Sequence, residues 1–190
     1  KIWVGTHGGC LYRLDENKYT PFCFPEKSSK IVVTDITHDK QGNIWVATKG
    51  YGIYHLEIKN QTKTGALLKS VFNKQEGLSS NEIEKIYFDE NGNLWIGHAQ
   101  RGVDIIYFGE DKNEKPPINH ISVLNGLTSD RITDILQDSK GRMWVSTFAG
   151  LNQISTSSST KETPKIISSI KQNDIIKDSH IITMSNDALG

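Results

Sequence analysis

An all-β fold, a β-propeller built from four consecutive four-stranded blade repeats, is predicted by three observations on this 190-residue chain. A tryptophan phrase recurs four times, an Asp-x-x-Gly turn stands before it, and the segments between alternate in polarity as strands do. The tryptophans are Trp3, Trp45, Trp95 and Trp144, at spacings of 42, 50 and 49 residues. The phrases read Ile2-Trp3-Val4-Gly5-Thr6, Ile44-Trp45-Val46-Ala47-Thr48, Leu94-Trp95-Ile96-Gly97-His98 and Met143-Trp144-Val145-Ser146-Thr147. The turns are Asp39 to Gly42, Asp89 to Gly92 and Asp138 to Gly141, with a further copy at Asp187 to Gly190. Lys1 matches Arg142, the position after that glycine. The repeats therefore fall at 1–42, 43–92, 93–141 and 142–190, a single propeller fragment in a circularly shifted frame.

Each repeat resolves into four short strands. In the second, Val32 to His38 alternates and is rich in β-branched residues, and Asp39-Lys40-Gln41-Gly42-Asn43 is a tight turn. Asp caps the turn backbone while Gly adopts a conformation that a Cβ would penalise. Asn43 to Thr48 is the second strand, Lys49-Gly50-Tyr51-Gly52 a glycine-rich turn, Ile53 to Ile58 the third strand and Lys69 to Asn73 the fourth. Glu76-Gly77-Leu78-Ser79-Ser80-Asn81 leads into the next repeat, as Asn125-Gly126-Leu127-Thr128-Ser129-Asp130 does one repeat later. Periods of about 40 to 50 residues with four strands each are propeller blades, and no long 3.6-residue period supports a helical solenoid. The frame predicts three complete blades and a partial blade at each end. Strand one is missing before Ile2, and its equivalent, Ile181 to Ser185, stands at the far end.

The recurring residues read as structure. One Trp per blade at strand spacing belongs in the packing between sheets, with its indole N–H on a carbonyl. The recurring Asp residues sit one per blade at the same hairpin, too far apart for two to share a substrate as an acid–base pair. Two cysteines without a C-x-x-C spacing argue against a metal or redox motif. Cys10 and Cys23 face each other if Leu14 pairs with Tyr19 across a loop from Asp15 to Lys18, leaving either a disulfide or two buried thiols. His38, His55, His120 and His180 are scattered and read as ordinary core or surface histidines. No cofactor and no metal is expected. The 22 basic residues balance the 22 acidic ones without a basic cluster interleaved with aromatics, so nucleic acid is not an expected partner. No run of 18 apolar residues spans a bilayer.

Asn43-Ile44-Trp45-Val46-Ala47-Thr48 with Gly52-Ile53-Tyr54, and Gly5-Thr6-His7-Gly8-Gly9-Cys10-Leu11-Tyr12, resemble the two-component regulator propeller repeat. The resemblance covers essentially the whole chain. It implies a seven-bladed propeller in the periplasmic sensor of a hybrid two-component protein of Bacteroidetes. Such a parent is membrane-anchored and dimeric, senses an oligosaccharide and signals through a histidine kinase and phosphorelay to transcription regulation. The kinase would lie outside this segment, which is itself not an enzyme.

Departures from the repeat are where a site would be grafted. His98, Gln100 and Arg101 interrupt the turn after the second strand of the third blade, Lys49 and Tyr51 occupy that turn in the second, and Phe148 in the fourth. The loops entering the innermost strands share their face and bring Asn81, Asp130 and Arg131. Aromatic and planar hydrogen-bonding groups suit an oligosaccharide; a neighbouring sensor domain is the other expected partner. Arg101 is the leading ligand residue, against a structural alternative in which it pairs with Asp104. A propeller lyase or hydrolase, and a purely structural interaction platform, are the competing classes. The sequence gathers no pair of carboxylates with a base for catalysis. Loops 109–117 and 155–164 are expected as hairpin connections on the opposite face.

Overall fold

The Asp-x-x-Gly turn closes the same way three times in the computed structural model, which describes residues 1–16, 18–25, 31–59, 62, 64–109, 115–155, 164–171 and 180–187. Asp39 Oδ1 accepts from the backbone N–H groups of Gln41 (3.0 Å) and Asn43 (2.8 Å). Its Oδ2 accepts from Asn43 Nδ2 (3.0 Å) and the indole Nε1 of Trp45 (3.1 Å). Asp89 repeats the pattern with Asn93 and Trp95, and Asp138 with Arg142 and Trp144. The sequence placed each indole on a carbonyl; the structure places it on this carboxylate, because the turn aims Oδ2 at the strand that follows. Burial pushes the Asp39 carboxyl up. The bonds from Asn43 and Trp45 outweigh it and hold the group below the usual carboxylate range. Asp138, with the same donors and the Arg142 guanidinium, is held at about 2 against its own burial.

These hairpins organise two compact units, residues 1–83 and 84–190. The first holds a three-stranded sheet, β1 (Ile2–Gly5), β2 (Cys10–Asp15) and β3 (Lys18–Cys23). Beside it is a four-stranded sheet of β4 (Val32–His38), β5 (Ile44–Lys49), β6 (Gly52–Ile58) and β7 (Ala66–Phe72). In the second unit β8 (Ile83–Phe88), β9 (Leu94–His98), β10 (Val103–Ile106) and β11 (Ile118–Ile121) form one antiparallel sheet. The other comprises β12 (Ile132–Gln137), β13 (Met143–Thr147), β14 (Gly150–Ile154) and β15 (Ile166–Lys171). Three complete blades and a partial first blade follow, as the repeat predicts. The strand expected over Ile181 to Ser185 is not formed: residues 180–187 carry no strand. Thr183 Oγ1 and Met184 N instead donate to Asp134 Oδ2, and Asn186 Nδ2 to the Gln137 carbonyl, so side chains tie this segment to β12.

Each unit is a pair of blades closed over an apolar core. Leu11, Phe22, Phe24 and Ile31 of the first pair meet Val46, Tyr54 and Leu56; Trp95, Val103 and Ile105 of the second meet Ile135, Met143 and Val145. The residue two past the Trp must be small. A Cβ on Gly5 would stand 2.4 Å from Val33 Cγ1, and one on Gly97 2.6 Å from Ile132 Cγ2, because strand one of the next blade passes there. The glycine opening the third strand has a different cause. Gly52 and Gly102 have φ of 83° and 67°, and a Cβ would stand 2.2 Å from the Phe72 carbonyl oxygen and 2.1 Å from that of Ile121.

The register of the first hairpin is the expected one, Leu14 with Tyr19 and Cys10 with Cys23. The turn is tighter than expected, since Asp15 and Lys18 themselves pair. Of the two outcomes for the cysteines the disulfide is realised, and Cys23 is exposed, not buried. Their Cα atoms lie 4.0 Å apart, inside the roughly 4.5 Å of a close-facing antiparallel pair, which brings the sulfurs into reach. Most of the two predicted hairpin loops, residues 110–114 and 156–163, lies outside the described residues.

Candidate functional site

Corresponding hydrogen bonds lace neighbouring blades together at the end of each sheet where strand two turns into strand three. Gly8 N and Gly9 N donate to the Ile31 carbonyl, Gly50 N and Gly52 N to that of Asn81, and Gly102 N to that of Asp130. Each acceptor lies in the segment leading into strand one of the next blade. Within each unit the turns and the entry segments therefore share one end of the sheets, as the sequence reading expected.

In the first unit this end carries Lys49, Tyr51 and Asn81. Lys49 is exposed and its backbone forms an isolated antiparallel β-bridge with Glu82; Tyr51 packs on the apolar core. The Asn81 side chain accepts from Lys74 N at 2.8 Å and holds a short 3-10 turn, Lys74–Glu76. Asp130 is its counterpart in the second unit, accepting from Val123 N at 2.8 Å beside the 3-10 turn Val123–Asn125. Both residues are occupied with local structure, a role marked in sequence by their matching seven-residue distance from the turn they hold.

The second unit brings more together. Gln100 and Arg101 project from the turn between β9 and β10, exposed and with no hydrogen bond or ion pair among the described residues. Across the Gly102–Asp130 bond stands Arg131, whose guanidinium carbon lies 4.6 Å from the ring centroid of Phe148. Phe148 N donates to the Arg131 carbonyl at 2.9 Å. His180 stacks on Phe148 at 3.5 Å between centroids, its Nδ1 2.9 Å from the Phe148 carbonyl oxygen. Arg101, Arg131, Phe148 and His180 thus follow one another along this end, two guanidinium groups leading into stacked aromatic rings. His180, an ordinary histidine by sequence, belongs to the group. Its signal was its place in the frame, equivalent to Arg131 one repeat on.

His98 is elsewhere. Its three counterparts, Thr6, Thr48 and Thr147, close the turn by donating to the carbonyls of Cys10, Gly52 and Gly150. His98 turns into the blade with 0% exposure, Nε2 2.8 Å from Asp104 Oδ2. Asp104, equally buried, holds His120 Nδ1 at 2.8 Å with its other oxygen. A buried carboxylate needs such partners. The expectation that His98 stands on the exposed face is corrected, and Asp104 is the partner of two histidines in place of Arg101. Its cross-strand neighbour His120 is the residue that the sequence left unassigned.

These sheets, three of them with an inner hairpin fixed by an Asp–Trp bond and laced to a neighbour within each unit, are β-propeller blades. More particularly, the chain carries two component regulator propeller repeats: residues 27–50, 77–100 and 126–149 match that family. No curated protein matches the chain in sequence. Among solved structures it is similar to the extracellular domain of BT3049 from B. thetaiotaomicron, assigned to the hybrid two component systems, with 22% identity and a TM-score of 0.77 over 98% of this chain. It is also similar to PorZ, a surface component of the type-IX secretion system of Porphyromonas gingivalis (18%, TM-score 0.62, 87% of this chain). Virginiamycin B lyase from Staphylococcus aureus is similar at 13% identity, with a TM-score of 0.59 over 86% of this chain and 50% of the lyase. These likenesses show the fold. The chain spans 23% and 25% of the first two structures. No helix among the described residues is long and apolar enough to cross a membrane.

Proposed function

We propose that this chain is part of the extracytoplasmic sensor of a hybrid two-component protein, in which it binds an oligosaccharide and passes the signal to a histidine kinase elsewhere in the parent. The observation that carries the reading is Arg101. It is an exposed guanidinium with no partner among the described residues, next to the Arg131–Phe148–His180 stack, on blades whose repeats are those of two component regulator propellers. Aromatic rings offer the apolar face of a sugar a platform, and a guanidinium forks onto two oxygens at once. The Cys10–Cys23 disulfide supports a compartment outside the reducing cytoplasm. Gln100 and Asp130 flank Arg101 in the second unit; Lys49, Tyr51 and Asn81 stand at the matching end of the first.

Calorimetric titration of the full-length protein with oligosaccharide mixtures, before and after Arg101→Ala, is the test. The variant is expected to lose about 1.5 to 3 kcal/mol of affinity, the range for a hydrogen bond to a charged group. Its melting temperature should hardly change, because Arg101 makes no hydrogen bond or ion pair among the described residues. Unchanged affinity for the cognate glycan removes Arg101 from the site.

A further inference from the structure

We infer that the ligand of this face is an acidic oligosaccharide, one whose uronate carboxylates lie against Arg101 and Arg131. The inference rests on the sugar-binding reading above and adds charge to it. The two units present the same end of the same kind of sheet with different electrostatics. In the first unit Lys49 and Lys74 are matched by Glu76 and Glu82. In the second, the cations Arg101 and Arg131 stand on either side of the Gly102–Asp130 bond. The one carboxylate among the described residues there is Asp130, with Oδ1 turned to Val123 N. Local structure accounts for Asp130 and leaves the cations in excess.

Placement sharpens the point. The Arg131 guanidinium carbon stands 4.6 Å from the Phe148 ring centroid, which restrains the side chain, and His180 stacks on the same ring. A guanidinium donates two parallel N–H bonds to a carboxylate. Neighbouring uronates in a chain repeat their carboxylates along one strand of sugar. Two arginines flanking a single inter-blade bond can take successive carboxylates, while the exposed His180 ring, stacked on Phe148, meets a pyranose face. A neutral glycan leaves both guanidinium groups without an anionic partner, and hydrogen bonds to charged acceptors are about twice as strong as neutral ones.

The test is titration of the full-length protein with oligogalacturonate, oligoalginate and glucuronate-containing disaccharides, each paired with its carboxyl-reduced, neutral form. The expected result is binding of an acidic member at least tenfold tighter than its reduced partner, weakening as salt is raised. Arg101→Ala and Arg131→Ala should each lower that affinity about tenfold, and Lys74→Ala, at the matching end of the first unit, should leave it unchanged. Equal affinity for the acidic and reduced forms, or binding of neutral glycans alone, overturns the charge assignment and leaves the sugar reading standing. Binding of no glycan, acidic or neutral, overturns both. Loss of affinity in Lys74→Ala equal to that in Arg101→Ala also overturns it, since the attraction would then be general.

Discussion

The second and third blades, one from each unit, differ at the last position of the recurring phrase. In the second blade Thr48 closes the turn onto Gly52, and Tyr54, in the register that Asp104 holds in the third, packs with Phe24 at 4.3 Å between ring centroids. In the third, His98 and Asp104 replace that threonine and tyrosine with a buried polar contact that runs on to His120. The fourth blade takes a third course, with Asn152 buried and bonded to Thr128. One backbone accepts an aromatic, a carboxylate–imidazole or an amide filling at this layer. Variation in a blade phrase therefore reports first on its interior, and the exposed residues beside it need separate argument.

Exchanging the two fillings breaks this comparison most sharply. Thr48→His places an imidazole at a fully buried position in a blade where Tyr54 stands at the register of Asp104, with no carboxylate to receive it. The expected loss is about 3 kcal/mol, an unpartnered buried polar group together with overpacking. His98→Thr should cost less, about 1 to 2 kcal/mol, because threonine restores the turn bond seen in the other blades and His120 still serves Asp104. Urea denaturation of the two variants checks the order; equal losses would show that Asp104 does not define the third blade's interior.

A smaller effect separates the buried histidines by pH. His55 stacks on Trp45 at 4.0 Å, and burial first, then the charge of Lys69, pulls its pKa from 6.5 down to about 4. Folded protein therefore binds this proton less readily than the unfolded chain. The stability due to neutral His55 is complete above about pH 6.5 and is lost as the pH falls towards 4. The loss should be about 2 kcal/mol and absent in His55→Gln, as followed by thermal melting from pH 7 to 4. Asp138 acts lower, between about pH 4 and 2, where protonating its carboxylate releases the Trp144 and Arg142 bonds.

Much of this fold was legible because its signals are local. The Asp39-to-Asn43 turn and the alternation on either side set the β4–β5 hairpin, and the pairing of Leu14 with Tyr19 carried Cys10 to Cys23. The fourth strand of the second blade was read from Lys69 but begins at Ala66, since its polar lead-in hides the start. The site was legible only in part. Gln100 and Arg101 face out as a turn implies, but His98 turns in, because the carboxylate that receives it lies six residues on, across the turn. The group Arg131, Phe148 and His180 comes from three separate segments. Only the place of His180, one repeat after Arg131, links it to the other two along the chain.

In the proposed reading, recognition sits on the second unit and not on the matching end of the first. Hydrogen–deuterium exchange of the full-length protein, with and without the oligosaccharide that binds it, tests this directly. Peptides covering 99–102, 128–131 and 148–149 should gain protection, while those covering 49–51 and 74–82 change little. Protection confined to the peptides of the first unit, or to none of these turns, would contradict it.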